Sequence, residues 1–167
     1  MTGVTRRATI AGMTTAERQT AIEKIEGLPA QLEQLVAGVP DAKLNKTYGE
    51  GKWTARQVIH HLADSHLHAF IRTRFIATVD HPTIQPYDQE AWAKTADASS
   101  GPIEPSLHIL RGMHARWGAF LRSLPESAFA RTAYHPERGE LSMDDMVRMY
   151  AGHGAKHLEH IRTAINS

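Results

Sequence analysis

Along four long stretches of this chain the apolar residues recur every three to four positions, the spacing of amphipathic helices, and prolines and glycines stand at the joints. That pattern restricts the chain to helix-on-helix packing. The first stretch opens at "TTAERQ", where Thr14 and Glu17 have capping-box spacing, and carries Ile22, Ile25, Leu28, Leu32 and Leu35 on one stripe. Its "GLP" at 27–29 predicts a kink or a break. The second runs from about Thr54 to Val79, ahead of "DHPTIQP", whose Pro82 and Pro86 force a loop. The third spans about Glu104 to Leu124 and stops at Pro125. The fourth begins at Ser142, where "SMDD" gives an N-cap and an acidic first turn. Between the last two, the short "AYHPERGEL" reads as a small hairpin. The expected fold is all-α, an antiparallel four-helix bundle with a site built between facing helices.

A length of 167 residues suits one domain, large enough to bury roughly 70% of its unfolded surface. Residues 14–167 form that domain, with residues 1–13 as an N-terminal arm. Nineteen Lys and Arg against 18 Asp and Glu leave a net charge of +1, with no basic run, which argues against nucleic acid as a partner. No apolar run approaches the ~20 residues of a membrane span, and "MTGVTRRATIAGM" lacks a signal-peptide core, so a soluble, cytoplasmic protein is expected. The absence of cysteine excludes thiolate ligands and a cysteine nucleophile. Any sulfur chemistry must arrive on a partner molecule.

Histidine is the unusual part of the composition, with 11 residues. "YAGHGAKHLEHI" places His153, His157 and His160 on one helical face, His157 about 40° around from His153 and His160 about 20° to the other side. Met146, Met149, Tyr150, Ile161 and Ala164 share that face, which therefore points to the core. Two imidazoles four residues apart can grip one cation, and they can equally be packed and hydrogen-bonded. In the second helix His61 shares a direction with Val58, Leu62, Phe75, Ile76 and Val79, whereas His60 points roughly 100° away. His61 is the better inward candidate. The pair is not of the H-E-x-x-H type, because Gly154 follows His153, and the inward glutamates of ferritin-like sites are missing too.

Two motifs, "WTARQVIHHLADSH" at 53–66 and Y-x-x-H-x-x-x-H-x-x-H-I at 150–161, resemble the signatures of the DinB/YfiT-like superfamily, in particular its bacillithiol-transferase branch. "PTIQPYDQEAWA" and "LRGMHARWGAFLRSL" extend the resemblance over about residues 14 to 165. It implies a four-helix bundle, often dimeric, holding one divalent metal through three histidines, which here are His61, His153 and His157.

Three neutral imidazoles leave coordination positions open; zinc in such a site lowers the pKa of water to about 7 and deprotonates a thiol. Zinc and nickel are the expected metals, although imidazole also suits copper and iron. Asp64, His68 and Arg72 fall within about 60° of His61. Asp64 then stands near the ligands or acts as a base, and Arg72, with His68, binds the anionic groups of a substrate; a purely structural network is the alternative for Asp64. Arg74, Arg116 and His66 are expected at solvated helix edges or on a dimer surface, and Trp117 and Phe120 in the core. The expected activity is metal-dependent transfer of a low-molecular-weight, bacillithiol-like thiol to an electrophile. The alternatives are a metal-dependent hydrolase and a stress-associated binding protein without turnover.

Overall fold

The structure, a computed structural model, describes residues 12–167, so most of the expected arm at 1–13 lies outside the described residues. Four long helices make the bundle: α1 (Thr15–Val36), α3 (Ala55–Thr78), α6 (Glu104–Ser123) and α7 (Met143–Ile165). Two of them begin at the caps read from the sequence, Thr14 and Ser142, and a third at the expected start, Thr54. Thr14 with Glu17, Thr54 with Gln57 and Ser142 with Asp145 each form a complete capping box. Short helices α2 (Asp41–Leu44), α4 (Gln89–Trp92) and α5 (Ala96–Ser100) and a 3-10 turn at Glu126–Ala130 fill the connections. The expected hairpin is present as β1 (Thr132–His135) paired antiparallel with β2 (Gly139–Ser142). The Pro82–Ile84 loop lies along β1, with Tyr134 N–H donating to the Pro82 carbonyl and Ile84 N–H to that of Tyr134.

Each long helix packs against two others: α1 against α6 and α7, and α3 against the same two. The antiparallel expectation holds for α1–α6, where Glu26 meets Arg122 and Glu33 meets Arg111. It also holds for α3–α7. The other two neighbouring pairs run parallel. Arg18 meets Asp144 and Leu28 meets Gly154 along α1 and α7; Ser106 meets His60 and His114 meets His66 along α6 and α3. The long connections 37–54 and 79–103 permit this, because each can carry the chain across the bundle instead of turning it straight back. The Arg18–Asp144 pair that locks α1 to α7 is buried, at 2.7 Å.

The core is built from Ile25, Leu28 and Leu32 of α1, Ile59, Leu62 and Ile76 of α3, Leu110, Trp117 and Leu121 of α6, and Met143, Met146 and Ile161 of α7. Two expectations fail here. Helix α1 runs through Pro29 without a break, so the interruption expected as one outcome does not occur. Proline cannot supply the N–H that the Ile25 carbonyl would receive, and His114 Nδ1 of α6 takes that place at 2.6 Å. Phe75 and Val79, expected inward, are 52% and 42% exposed. The buried stripe of α3 is Leu62, His66, Ala69, Thr73 and Ile76, which leaves the His61 direction as the helix advances. Among the described residues no helix is long and apolar enough to cross a membrane.

Candidate metal centre

Because α3 and α7 are antiparallel, the first half of α3 faces the second half of α7, and His61 meets His153 and His157 there. His153 Nε2 lies 3.2 Å from His61 Nε2 and 3.1 Å from His157 Nε2. One ring nitrogen from each of the three falls within 4.8 Å of the others. Nitrogens held about 2.05 Å from one ion sit about 3.3 Å apart at tetrahedral angles and about 2.9 Å apart at right angles. Both separations from His153 lie in that interval, and the ligand nitrogens of His61 and His157 stand within 4.8 Å of each other. Buried imidazole nitrogens normally find a hydrogen-bond partner. Among the described residues these three Nε2 atoms have only one another as partners, and His157 Nδ1 is buried with none. The trio could hold one divalent ion.

The site is also poised to accept a cation electrostatically. Burial pushes His61 down to about 4; burial, reinforced by the neighbouring imidazoles, pushes His153 to about 3 and His157 to about 2. All three are therefore neutral near pH 7, with lone pairs to donate. Gly154, at the place of a zincin glutamate, faces α1, where an added Cβ would sit 3.0 Å from the Leu28 side chain. That position serves the α1–α7 contact and not the trio.

The neighbouring histidines divide differently from expectation. His66, expected at a solvated edge, is 0% exposed: Nδ1 lies 3.1 Å from His114 Nε2, and Nε2 lies 3.1 Å from His153 Nδ1. A bundle helix touches two neighbours, so its inward arc is wide enough to include a residue well away from His61 in direction. His60 is buried as well, but it turns to α6 and bonds Ser106 Oγ at 2.8 Å, apart from the trio. Arg74 and Arg116 are exposed and lie over the Phe70 ring; Trp117 is fully buried and Phe120 partly so.

A cavity of about 580 Å³ opens beside His153, between α3, α7, the hairpin and the loop that carries Tyr87. Ser65, Arg72, Tyr87, His135, Tyr150 and His153 are among its lining. Arg72 donates to the Gln85 carbonyl at 2.6 Å and to Tyr150 Oη at 3.4 Å, while its buried Nε has no partner among the described residues. His68 stands behind the wall, stacked on Tyr87 with centroids 4.3 Å apart. Asp64 is half-buried, its carboxyl raised by burial and by the charge of Asp97, and it makes no hydrogen bond to the trio among the described residues. Tyr87 and His135 were not singled out by the sequence, because they reach the cavity from irregular or short segments without a period.

Compared with known proteins, residues 24–161 match the sequence model of the DinB superfamily. The chain belongs to the DinB superfamily. A DinB relative from Geobacillus kaustophilus is 48% identical over 143 residues, covering 84% of this chain and 80% of that protein. YfiT of Bacillus subtilis is 39% identical over 141 residues, covering 84% of this chain and 79% of its own. Both bear the provisional name of metal-dependent hydrolase. The solved structure of YfiT, described as a probable metal-dependent hydrolase with an unusual four-helix bundle topology, superimposes with a TM-score of 0.90 at 33% identity, covering 96% of this chain and 93% of that one. A mycothiol-dependent maleylpyruvate isomerase shares the fold alone, at a TM-score of 0.69 and 15% identity, and this chain spans 63% of its length.

Proposed function

We propose that this DinB-superfamily protein is a metal-dependent enzyme in which His61, His153 and His157 hold one divalent ion, zinc or nickel, and that it transfers a small acidic thiol, bacillithiol-like in chemistry, to an electrophilic carbon. The observation that carries the metal is the convergence of three Nε2 atoms with no other partners among the described residues. When bound, the ion supplies a Lewis acid that favours the ionised form of a thiol or water. The sulfur–carbon bond forms as the leaving group departs with its electron pair, and the thiol proton passes to solvent.

The choice of thiol rests on Arg72. A guanidinium on the wall of an open cavity, next to a proposed ligand, with one buried N–H unmet and no ion pair among the described residues, suits a ligand carrying carboxylates, while Asp88 and Glu137 lie elsewhere in the lining. Tyr150 and the Gln85 carbonyl orient it. The polar lining of the cavity favours turnover over mere storage of an apolar ligand. Tyr87, seated between His68 and the cavity, forms a wall against which the electrophile can lie. Asp64, off the trio, would act only through solvent in the cavity or stay structural. Loss of one charge-assisted hydrogen bond, worth about 1.5–3 kcal/mol, predicts that Arg72→Ala raises the KM for an acidic thiol by about 10- to 100-fold, and that for a neutral thiol much less, with metal content unchanged. Equal effects on both thiols would remove Arg72 from thiol recognition. The names of the relatives favour hydrolysis as the second reading: turnover of an ester or amide with no thiol added, and no thiol consumed with any electrophile, would put it first.

The same reading includes a homodimer. Leu67, Ile71, Phe75 and Val79 follow one another four residues apart along the α3 side of the bundle, all 40–52% exposed, a continuous apolar face that a second copy would cover. Light scattering should return twice 18.5 kDa, and the Ile71→Lys, Phe75→Lys double variant should return 18.5 kDa with helicity intact. A wild-type mass of 18.5 kDa at micromolar concentration would refute the dimer.

A further inference from the structure

We infer that His66 and His114 are positioning residues that select the tautomer of His153, through a chain of hydrogen bonds whose direction is set by the Ile25 carbonyl. The inference rests on the metal-site reading above for its consequence, though not for its geometry. A carbonyl oxygen only accepts, so the contact of His114 Nδ1 with Ile25 O at 2.6 Å places a hydrogen on His114 Nδ1. A neutral imidazole carries one N–H, which leaves His114 Nε2 as an acceptor. His66 Nδ1, 3.1 Å away, must then donate, and His66 Nε2 becomes an acceptor in turn. His153 Nδ1, 3.1 Å from His66 Nε2, is left as the donor. The lone pair of His153 Nε2 therefore points at His61 and His157, as a ligand's must.

Reversing any one link would bring two hydrogens or two lone pairs together in a site from which water is shut out, with His66 and His114 both 0% exposed. Burial keeps the two rings neutral. The selection matters because a free neutral imidazole prefers its hydrogen on Nε2. Left to itself His153 would turn an N–H toward the ion position in most molecules. The device starts at Pro29, the residue whose missing N–H leaves the Ile25 carbonyl open to His114.

The tautomers can be read without metal and without any variant. In metal-free wild-type protein labelled with 15N-histidine, long-range proton–nitrogen correlation near neutral pH should show His66, His114 and His153 protonated on Nδ1. A His153 protonated on Nε2 overturns the inference. His66→Leu should return His153 to a mixture of tautomers and weaken zinc binding, followed by competition with a chromophoric chelator, by about 10- to 100-fold. His66→Gln, whose side-chain oxygen can accept from His153 Nδ1, should recover most of both, and His114→Leu should lose less than His66→Leu. Loss of affinity in His66→Leu with the tautomer of His153 unmoved, or without recovery in His66→Gln, would reduce His66 to packing and overturn the proposal. The two readings fail separately: wild-type protein with these tautomers that binds neither zinc nor nickel overturns the metal site alone.

Discussion

His153→Ala or His157→Ala is expected to abolish stoichiometric binding of a divalent ion, while His60→Ala leaves about one ion per chain. A structural zinc site of four ligands gains about 10–16 kcal/mol, so each ligand carries roughly 3–4 kcal/mol, a loss of about 10²- to 10³-fold when one is removed. Starting from only three protein ligands, the remaining pair would not retain the ion through purification. His60 is the control because it is equally buried on the same helix, yet its ring is bonded to Ser106 on the other side. Elemental analysis decides the matter: full occupancy in both His153→Ala and His157→Ala would refute the trio. The His60 variant guards against reading a general loss of fold as a loss of ligands.

The metal-stripped protein is expected to unfold abruptly as the pH falls from about 6.5 toward 5. His61 and His114 are held down to about 4, His153 to about 3 and His157 to about 2, chiefly by burial, whereas all four titrate near 6.5 when unfolded. Folded pKa values below the unfolded ones mean that the unfolded chain binds the extra protons. Stability is therefore complete above about 6.5 and is lost as the pH falls below it. Between pH 6.5 and 5.5 each such histidine withdraws about 1 kcal/mol and the four together about 4 kcal/mol, a large share of the 5–15 kcal/mol of an ordinary domain. Circular dichroism against pH in the presence of a chelator should show the transition, and added zinc should shift it to lower pH by occupying three of the four rings. An unchanged helical signal down to pH 4.5 without metal would contradict the burial argument.

The helices were legible because their start signals are local: the capping box at Thr14, the N-cap at Ser142 and the start near Thr54 were read within a few residues of sequence, and the structure completes a capping box at all three. Which helices are neighbours was not, since the order depends on where the long connections 37–54 and 79–103 cross, and nothing in their composition states it. Among the candidate residues, helical phase and the superfamily motif both pointed to His61, His153 and His157, and the structure brings those rings together. The same arithmetic misplaced His66, because phase was counted from one residue while α3 packs against two helices at once. The possible break at Pro29 did not occur for a related reason. A proline breaks a helix when its carbonyl partner goes unserved, and the group that serves it stands 89 residues away, on a different helix.

That pairing of Pro29 with His114 imposes an order on how such a sequence can have changed. With any N–H at position 29, the Ile25 carbonyl is satisfied within its own helix and a histidine at 114 is free to come and go. With proline in place and no donor at 114, a buried carbonyl is left unpaired, at about 1–3 kcal/mol beyond the strain of the proline itself. The order of lower cost has the donor in place before the proline. Once the proline is in place, loss of the histidine is penalised at both ends, at a helix that contributes no histidine to the trio and at a ring that abuts those of His66 and Trp117. The arrangement has the form of an evolutionary ratchet: two positions far apart in the sequence, each open to change while the other is absent, are bound to each other's fate once both are present.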